Sequence, residues 1–275
     1  MAEPLFDRGR FEARLATRFL GRRLLARAEV ESTNDVAWEA LAQGMPDGTV
    51  VVADAQTRGR GRAGRAWNTA AGKGLAMSVL LHGGCETRPD ARGALPLAAG
   101  LALARALERL GARADLKWPN DLLIGGRKVA GLLCESRVGA AAVVAADAIV
   151  IGAGVNVAEA PADFPEALSG SATSLAIAGC ATSREEVAAE FLNALEPLWR
   201  ELEEGDRGAV LAAWRERASF WGRTVRVRTP AGEVSGVARG LSEGGGLVLD
   251  REGGGEVTVL AGDLELPGDA EVGRP

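Results

Sequence analysis

The chain of 275 residues is long enough for one sizeable core, or for a main domain with a small appendage. With 47% hydrophobic residues, 25% charged residues and a net charge of -5, it is neither disordered nor fibrous, and no overall basicity points to nucleic acid. Residues 1–21 offer neither a signal-peptide core nor a membrane span, so a cytoplasmic protein without membrane contact is expected.

Three widely spaced cysteines (Cys85, Cys134, Cys180) and a single histidine, His82, argue against a disulfide framework and a structural zinc site. Of the 32 basic residues only Lys73, Lys117 and Lys128 are lysine. In so arginine-rich a chain each lysine is a candidate for a place where a compact ammonium matters, although chance survival explains a lysine equally well. Tyrosine is absent. General acid–base chemistry therefore has few players, and a reaction driven by positioning and positive charge fits better.

In chain order, Phe11, Leu15 and Phe19 recur at four-residue spacing and predict one surface helix over Phe11–Arg27, with a strand near Leu24–Glu29. The cluster Glu31 to Asp35 reads as a helix cap, followed by a helix over Val36–Gln43 that stops at Gly44. Thr49–Ala53 is a β-branched run, and residues 56–68 form a loop with three glycines and four arginines. Leu75–Leu81 reads as a buried strand, and Pro96–Leu110 as a helix with proline near its first turn. Leu116–Trp118 and Leu122–Ile124 flank a Pro-Asn-Asp turn, Gly125-Gly126 returns the chain into Arg127–Glu135, and Ala141–Val157 is the longest strand-like stretch. Ser183 with Glu186 makes a capping box that opens a helix to about Glu204, and a second helix covers about Gly208–Phe220. After Trp221, short alternating strands over Gly222–Thr229, Glu233–Ser242, Gly246–Asp250 and Glu256–Leu266 suggest a small β-barrel behind a main α+β domain.

Three segments carry chemistry. Gly59-Arg60-Gly61-Arg62-Ala63-Gly64-Arg65-Ala66-Trp67 interleaves glycines, which let backbone approach a ligand, with forked guanidinium donors; it is built to hold an anion. The string formally matches the dinucleotide fingerprint, but no helix pattern opens behind it and no acid falls between Trp67 and Gly84. A solvated charged loop or an RNA-binding patch is the plainer reading. Lys117 to Asp121 fixes Asn120 and Asp121 at a proline turn beside Lys128, a place for a ribose, a phosphate or a metal-bound water, or else an ordinary hairpin. Ile151 to Asn156 ends a strand with two glycines and an amide, which suits close approach of a planar ligand or a simple bulge. No P-loop string occurs.

Ser32-Thr33-Asn34, Gln56-Thr57, the Gly59–Trp67 string, Lys117–Asp121, Gly126–Gly131 and Ile151–Asn156 resemble, in this order, the biotin protein ligase family over about Leu24–Leu266. The resemblance implies an α+β catalytic domain related to class II aminoacyl-tRNA synthetases (residues 1–221), an SH3-like C-terminal barrel (222–268) and a frayed tail (269–275). It implies activation of biotin by ATP with Mg²⁺ and transfer to a lysine of a biotin carboxyl carrier domain, of acetyl-CoA carboxylase or another biotin-dependent carboxylase. Fewer than about 30 residues precede the first motif, too few for the repressor domain of many relatives, so a ligase-only type is expected, with no nucleic-acid partner and with a homodimer left open. Arg58 stands where the family often has a small residue.

By the same resemblance Ser32, Thr33, Asn34 and Gln56 bind the ureido ring, and the apolar tail of biotin runs along Val129–Leu132. Arg60, Gly61 and Arg62 close over carboxylate and phosphates, and Lys128 bridges the reacting carboxylate and the α-phosphate. Arg65, Trp67, Asn120, Asp121 and Asn156 take the nucleotide, with Asp121 toward the magnesium ion. A lipoate or octanoate protein transferase is the nearest enzyme rival, and a non-catalytic biotin-sensing module the rival of another class.

Overall fold

The computed structural model describes residues 5–82, 89–137 and 148–266. Seven strands, β1 (Leu24–Val30), β2 (Val50–Gln56), β3 (Leu75–His82), β4 (Asp115–Lys117), β5 (Asp121–Ile124), β6 (Arg127–Arg137) and β7 (Ala148–Val155), form one mixed sheet in the spatial order 1-2-3-7-6-5-4. β1 and β2 are parallel, and the other neighbours are antiparallel. The valine run of β2 is buried on both sides because the sheet is covered on both sides. Val50 and Val52 enter the main core with Met77 and Val79, while Val51 faces Ala37 and Trp38 of helix α2 (Thr33–Ala42). The opposite face carries α3 (Pro89–Arg109) and α4 (Arg184–Glu204), with the short α1 (Arg8–Arg14) against α4.

The single helix expected over Phe11–Arg27 is not formed: α1 stops at Arg14 and the chain is in β1 by Leu24. A tertiary contact overrides the spacing. The buried Glu196 carboxylate on α4 accepts the backbone N–H groups of Arg18, Phe19 and Leu20 at 2.7, 3.0 and 3.0 Å, which holds them in a turn. Helix α3 starts at Pro89 rather than at Pro96, so Pro96 lies inside it and removes one backbone hydrogen bond there. The strand expected from Ala141 is described from Ala148 only; residues 141–147, Cys85 and the expected tail 269–275 lie outside the described residues. The capping box holds as read, with Ser183 and Glu186 bonded reciprocally at 3.0 and 3.3 Å and Gly205 closing α4 in the left-handed region.

Helix α5 (Gly208–Glu216) leads to a second, wholly antiparallel sheet of β8 (Thr224–Thr229), β9 (Gly232–Leu241), β10 (Leu247–Asp250), β11 (Glu256–Val259) and β12 (Asp263–Glu265), in the order 11-10-9-8-12. The last strand expected, Glu256–Leu266, is two strands separated by an exposed Leu260 and by Gly262, where a Cβ would lie 2.6 Å from Val227 and 2.8 Å from the Arg228 carbonyl. The two sheets share one apolar core: Val225, Val227, Leu247, Leu249 and Leu264 join the cluster that holds Trp118, Trp214 and Phe220. The Trp118 indole N–H donates to the Gly245 carbonyl at 3.0 Å across the junction. Among the described residues no helix is long and apolar enough to cross a membrane.

Candidate functional site

A cleft of about 640 Å³ opens where the start of α2, the glycine–arginine loop and strands β5, β6 and β7 meet. Ser32, Thr33, Asn34, Gln56, Arg60, Gly61, Arg62, Arg65, Trp67, Asn120, Asp121, Lys128 and Asn156 all line it.

One end is lined by uncharged polar side chains, with the Glu135 carboxylate behind them. Ser32 occupies the N-cap position of α2, yet its side chain makes no capping hydrogen bond, which leaves the hydroxyl for the cleft. Gln56 Oε1 takes over instead, accepting the Thr33 backbone N–H at 2.8 Å. Ser78 Oγ, from the apolar strand β3, sits 2.8 Å from Thr33 Oγ1 and 2.6 Å from Asn34 Oδ1. The Asn34 amide donates to Glu135 at 2.8 Å, and the Trp38 indole donates to the same carboxylate at 3.2 Å. Gly152 is glycine because Asn34 lies on it: a Cβ there would be 2.5 Å from Asn34 Oδ1.

The middle is cationic. The Gly59–Trp67 loop folds back on itself, with Gly61 N–H donating to the Arg65 carbonyl at 2.7 Å and Trp67 N–H to the Gly59 carbonyl at 2.8 Å. Arg60 grips Asp35 with a two-pronged bond, 2.6 Å on each arm, and so holds Asp35 below the usual carboxylate range. Arg62 turns to the second sheet, donating to the Gly262 carbonyl at 3.1 Å and to Asn120 Oδ1 at 3.4 Å. Burial lowers its pKa from the ordinary arginine value, but a guanidinium keeps its charge regardless. Arg65 pairs with Asp263.

Lys128 owes its aim to a β-bulge. Leu122 pairs with Ala130 and Leu123 with Lys128, so Val129 is an extra residue on β6. The insertion puts Lys128 and Gly131 on the same face of the strand, with the Lys128 ammonium 2.7 Å from Asp121 Oδ1. Its backbone is pinned as well, since Lys128 N–H donates to Ser171 O at 2.8 Å and Thr173 N–H donates to Lys128 O at 2.9 Å. Asn156 contributes from β7's end: its backbone N–H bonds Val129 O at 2.8 Å and its amide bonds Thr173 O at 2.9 Å. Both Asn120 and Asn156 thus have amide protons engaged on the fold, Asn120 through Leu132 O at 2.6 Å. Val129 and Ala130, expected along the apolar tail of biotin, are fully buried in the core, and Leu132 keeps its side chain there too; Gly131 and Leu133 line the cleft on either side of it.

The far end is flat and mostly apolar. Gly131 pairs with Gly154 across β6 and β7, and the Trp67 indole lies on this bare pair: a Cβ at Gly154 would be 2.3 Å from the ring, and one at Gly131 3.3 Å. Of the two strand-end glycines, Gly154 is therefore approached by the chain's own tryptophan and Gly152 by Asn34, and Lys128 Nζ lies 5.6 Å from the Trp67 ring centre. Phe164, Pro165 and Leu168 wall this end, and Lys73 holds both oxygens of Asp163 at 2.7 and 2.6 Å. Sequence reasoning missed Ser78, Glu135, Thr69 and Glu159. A lone serine within Leu75–Leu81 was a readable signal, whereas Glu159 has none in its neighbours along the chain.

Among the described residues no three His, Cys, Asp or Glu side chains are grouped to hold a metal ion. Cys134 lies beside Arg62, but burial pushes its thiol up to about 12, so it supplies no thiolate nucleophile.

Residues 26–156 match the model of the biotin/lipoate A/B protein ligase family, and residues 220–266 that of the biotin protein ligase C-terminal domain. The chain is 38% identical to the biotin--[acetyl-CoA-carboxylase] ligase of Mycobacterium tuberculosis, over 86% of each protein. It is 34% identical to the bifunctional ligase/repressor BirA of Bacillus subtilis, over 92% of this chain and 76% of that protein. The biotin protein ligase of Aquifex aeolicus, solved in complex with biotin and ATP, superposes with a TM-score of 0.73 at 31% identity, covering 89% of this chain and 98% of the other. The chain belongs to the biotin protein ligase family.

Proposed function

We propose that the cleft joins biotin to ATP, forming biotinyl-5'-AMP and pyrophosphate, and then passes the biotinyl group to a lysine of a biotin carboxyl carrier domain, releasing AMP. The observation that carries this reading is one continuous cleft with an end lined by uncharged hydrogen-bonding side chains, a middle holding Arg60, Arg62 and Lys128, and a far end floored by the Trp67 ring and walled by Phe164, Pro165 and Leu168. A ureido ring is neutral and polar and needs bonded partners when buried, which Ser32, Thr33, Asn34 and Gln56 offer. The apolar tail lies over Gly131–Leu133. Its carboxylate then reaches Lys128, which exchanges Asp121 for the reacting anions and stabilises the charge that develops between carboxylate and α-phosphate. Arg60 and Arg62 neutralise the phosphates, and the flat end receives the base. The protein supplies position and positive charge, with no covalent nucleophile.

Magnesium travels with ATP phosphates and needs only one or two protein carboxylates. Asp121 is the residue we assign to it, and bound there the ion would offset phosphate charge. The acceptor assigned to it is the carrier domain of acetyl-CoA carboxylase, since that enzyme stands in the names of two relatives. The test is incubation with ATP, Mg²⁺, biotin and such a domain, followed by intact mass. A gain of one biotinyl group on the domain is expected; an unchanged mass on a competent acceptor overturns the assignment.

A further inference from the structure

Four buried polar atoms at the flat end of the cleft have no hydrogen-bond partner: Trp67 Nε1, Thr69 Oγ1 and both oxygens of Glu159. Glu159 is only 2% exposed, yet it lines the cleft. Its neighbour makes space for it, since a Cβ on Gly74 would lie 2.3 Å from Glu159 Oε1 and 2.5 Å from Thr69 Cγ2. Among the described residues no cation forms an ion pair with it: the Lys73 ammonium, whose charge reaches it from a distance, is held by Asp163. A carboxyl group left bare inside a fold is costly unless a ligand completes it. Resting on the function proposed above, we propose that Glu159 determines nucleobase specificity by accepting the 6-amino group of adenine and facing the adjacent ring nitrogen.

The chemistry favours adenine over guanine. Burial raises the Glu159 pKa above the ordinary carboxylate range and so favours the neutral acid. A neutral carboxyl presents an acceptor beside a donor, the complement of the amine and ring nitrogen on the edge of adenine. An ionised carboxylate offers two acceptors, which suits guanine instead. Thr69 and Trp67 add donors for the remaining ring and sugar atoms.

The test compares ATP, inosine triphosphate and purine riboside triphosphate, the last lacking the 6-amino group, in wild type, Glu159→Gln and Glu159→Leu. Direct nucleotide titration and biotin-dependent pyrophosphate release are both read, and biotin affinity checks that each variant keeps its cleft. Wild type should prefer ATP to the purine analogue by at least about 10-fold, as a site built around a hydrogen bond rejects a ligand lacking it. Gln, which keeps a donor beside an acceptor, should retain that preference, and Leu should abolish it. Equal wild-type binding of ATP and the purine analogue overturns the proposal, as does a Leu variant with normal biotin affinity and an intact preference for ATP. Absence of pyrophosphate release would refute the ligase reading alone, since the titrations still judge Glu159.

Discussion

At 2.7 Å from Asp121, the Lys128 ammonium already has a counter-ion, so an incoming carboxylate and phosphate must displace a partner rather than fill a void. The exchange gives a prediction. Lys128→Ala should slow biotin-dependent pyrophosphate release by at least about 100-fold, the range for losing one transition-state charge partner, and stopped-time assays at saturating ATP and biotin would measure it. Wild-type release from that variant would show that Lys128 is not the bridging cation. Glu159 gives a prediction about pH. Its raised pKa means the folded chain binds a proton more tightly than the unfolded one, so stability is lost as pH rises through the window between the ordinary carboxylate value and the folded one. Glu159→Gln carries no such dependence; the Tm of the variant should gain on wild type as pH increases, and a constant gap would contradict this. These two residues also differ in legibility. Lys128 stands out because lysine is rare in this chain. Glu159 looks like any surface glutamate until folding buries it without a partner.

Element by element, the sequence signals that survived were those closed within a few residues: the Ser183 capping box, the Gly125-Gly126 turn with φ of 57° and 77°, and the alternation of Val225 and Val227 with arginines. Signals overridden by distant contacts did not survive, and the helix cut short by Glu196 is the example. The paired glycines of β6 and β7 fall between. Close approach of a planar group at Gly154 could be anticipated from the strand end Ile151–Asn156, but neither the pairing with Gly131 nor the Trp67 ring could, because the loop and the strands are brought together only by the sheet. Gly154→Ala should evict the indole, since the new Cβ would sit 2.3 Å from it. Expulsion of a loop side chain should cost no more than about 3 kcal/mol of stability. Tryptophan emission should shift to the red relative to wild type, and the shift should vanish in a Trp67→Phe background. An unshifted spectrum would place the ring elsewhere.

For the molecule as a whole, Arg62 and Arg65 tie the glycine–arginine loop to Gly262 and Asp263 of the second sheet. Contacts nearly two hundred residues apart left no trace in the sequence beyond a change of texture after Trp221. The Arg65–Asp263 pair is exposed, so its loss should move stability by less than about 1 kcal/mol. Its effect should fall on the loop instead: Asp263→Ala is expected to release more free biotinyl-AMP than wild type with an unchanged Tm, measured by chromatography of the filtrate during turnover. The same leak is expected of Arg62→Gly, and intermediate retained by both variants would end the idea that the second sheet steadies the loop. The apolar core that runs unbroken through both sheets bears on how such a chain can change over generations. A truncation or exchange that kept only the first sheet would bare the packing faces of Trp118, Trp214 and Phe220 and at once remove the anchors of Arg62 and Arg65. The two sheets are thus bound to be inherited together, as one unit of folding and of chemistry.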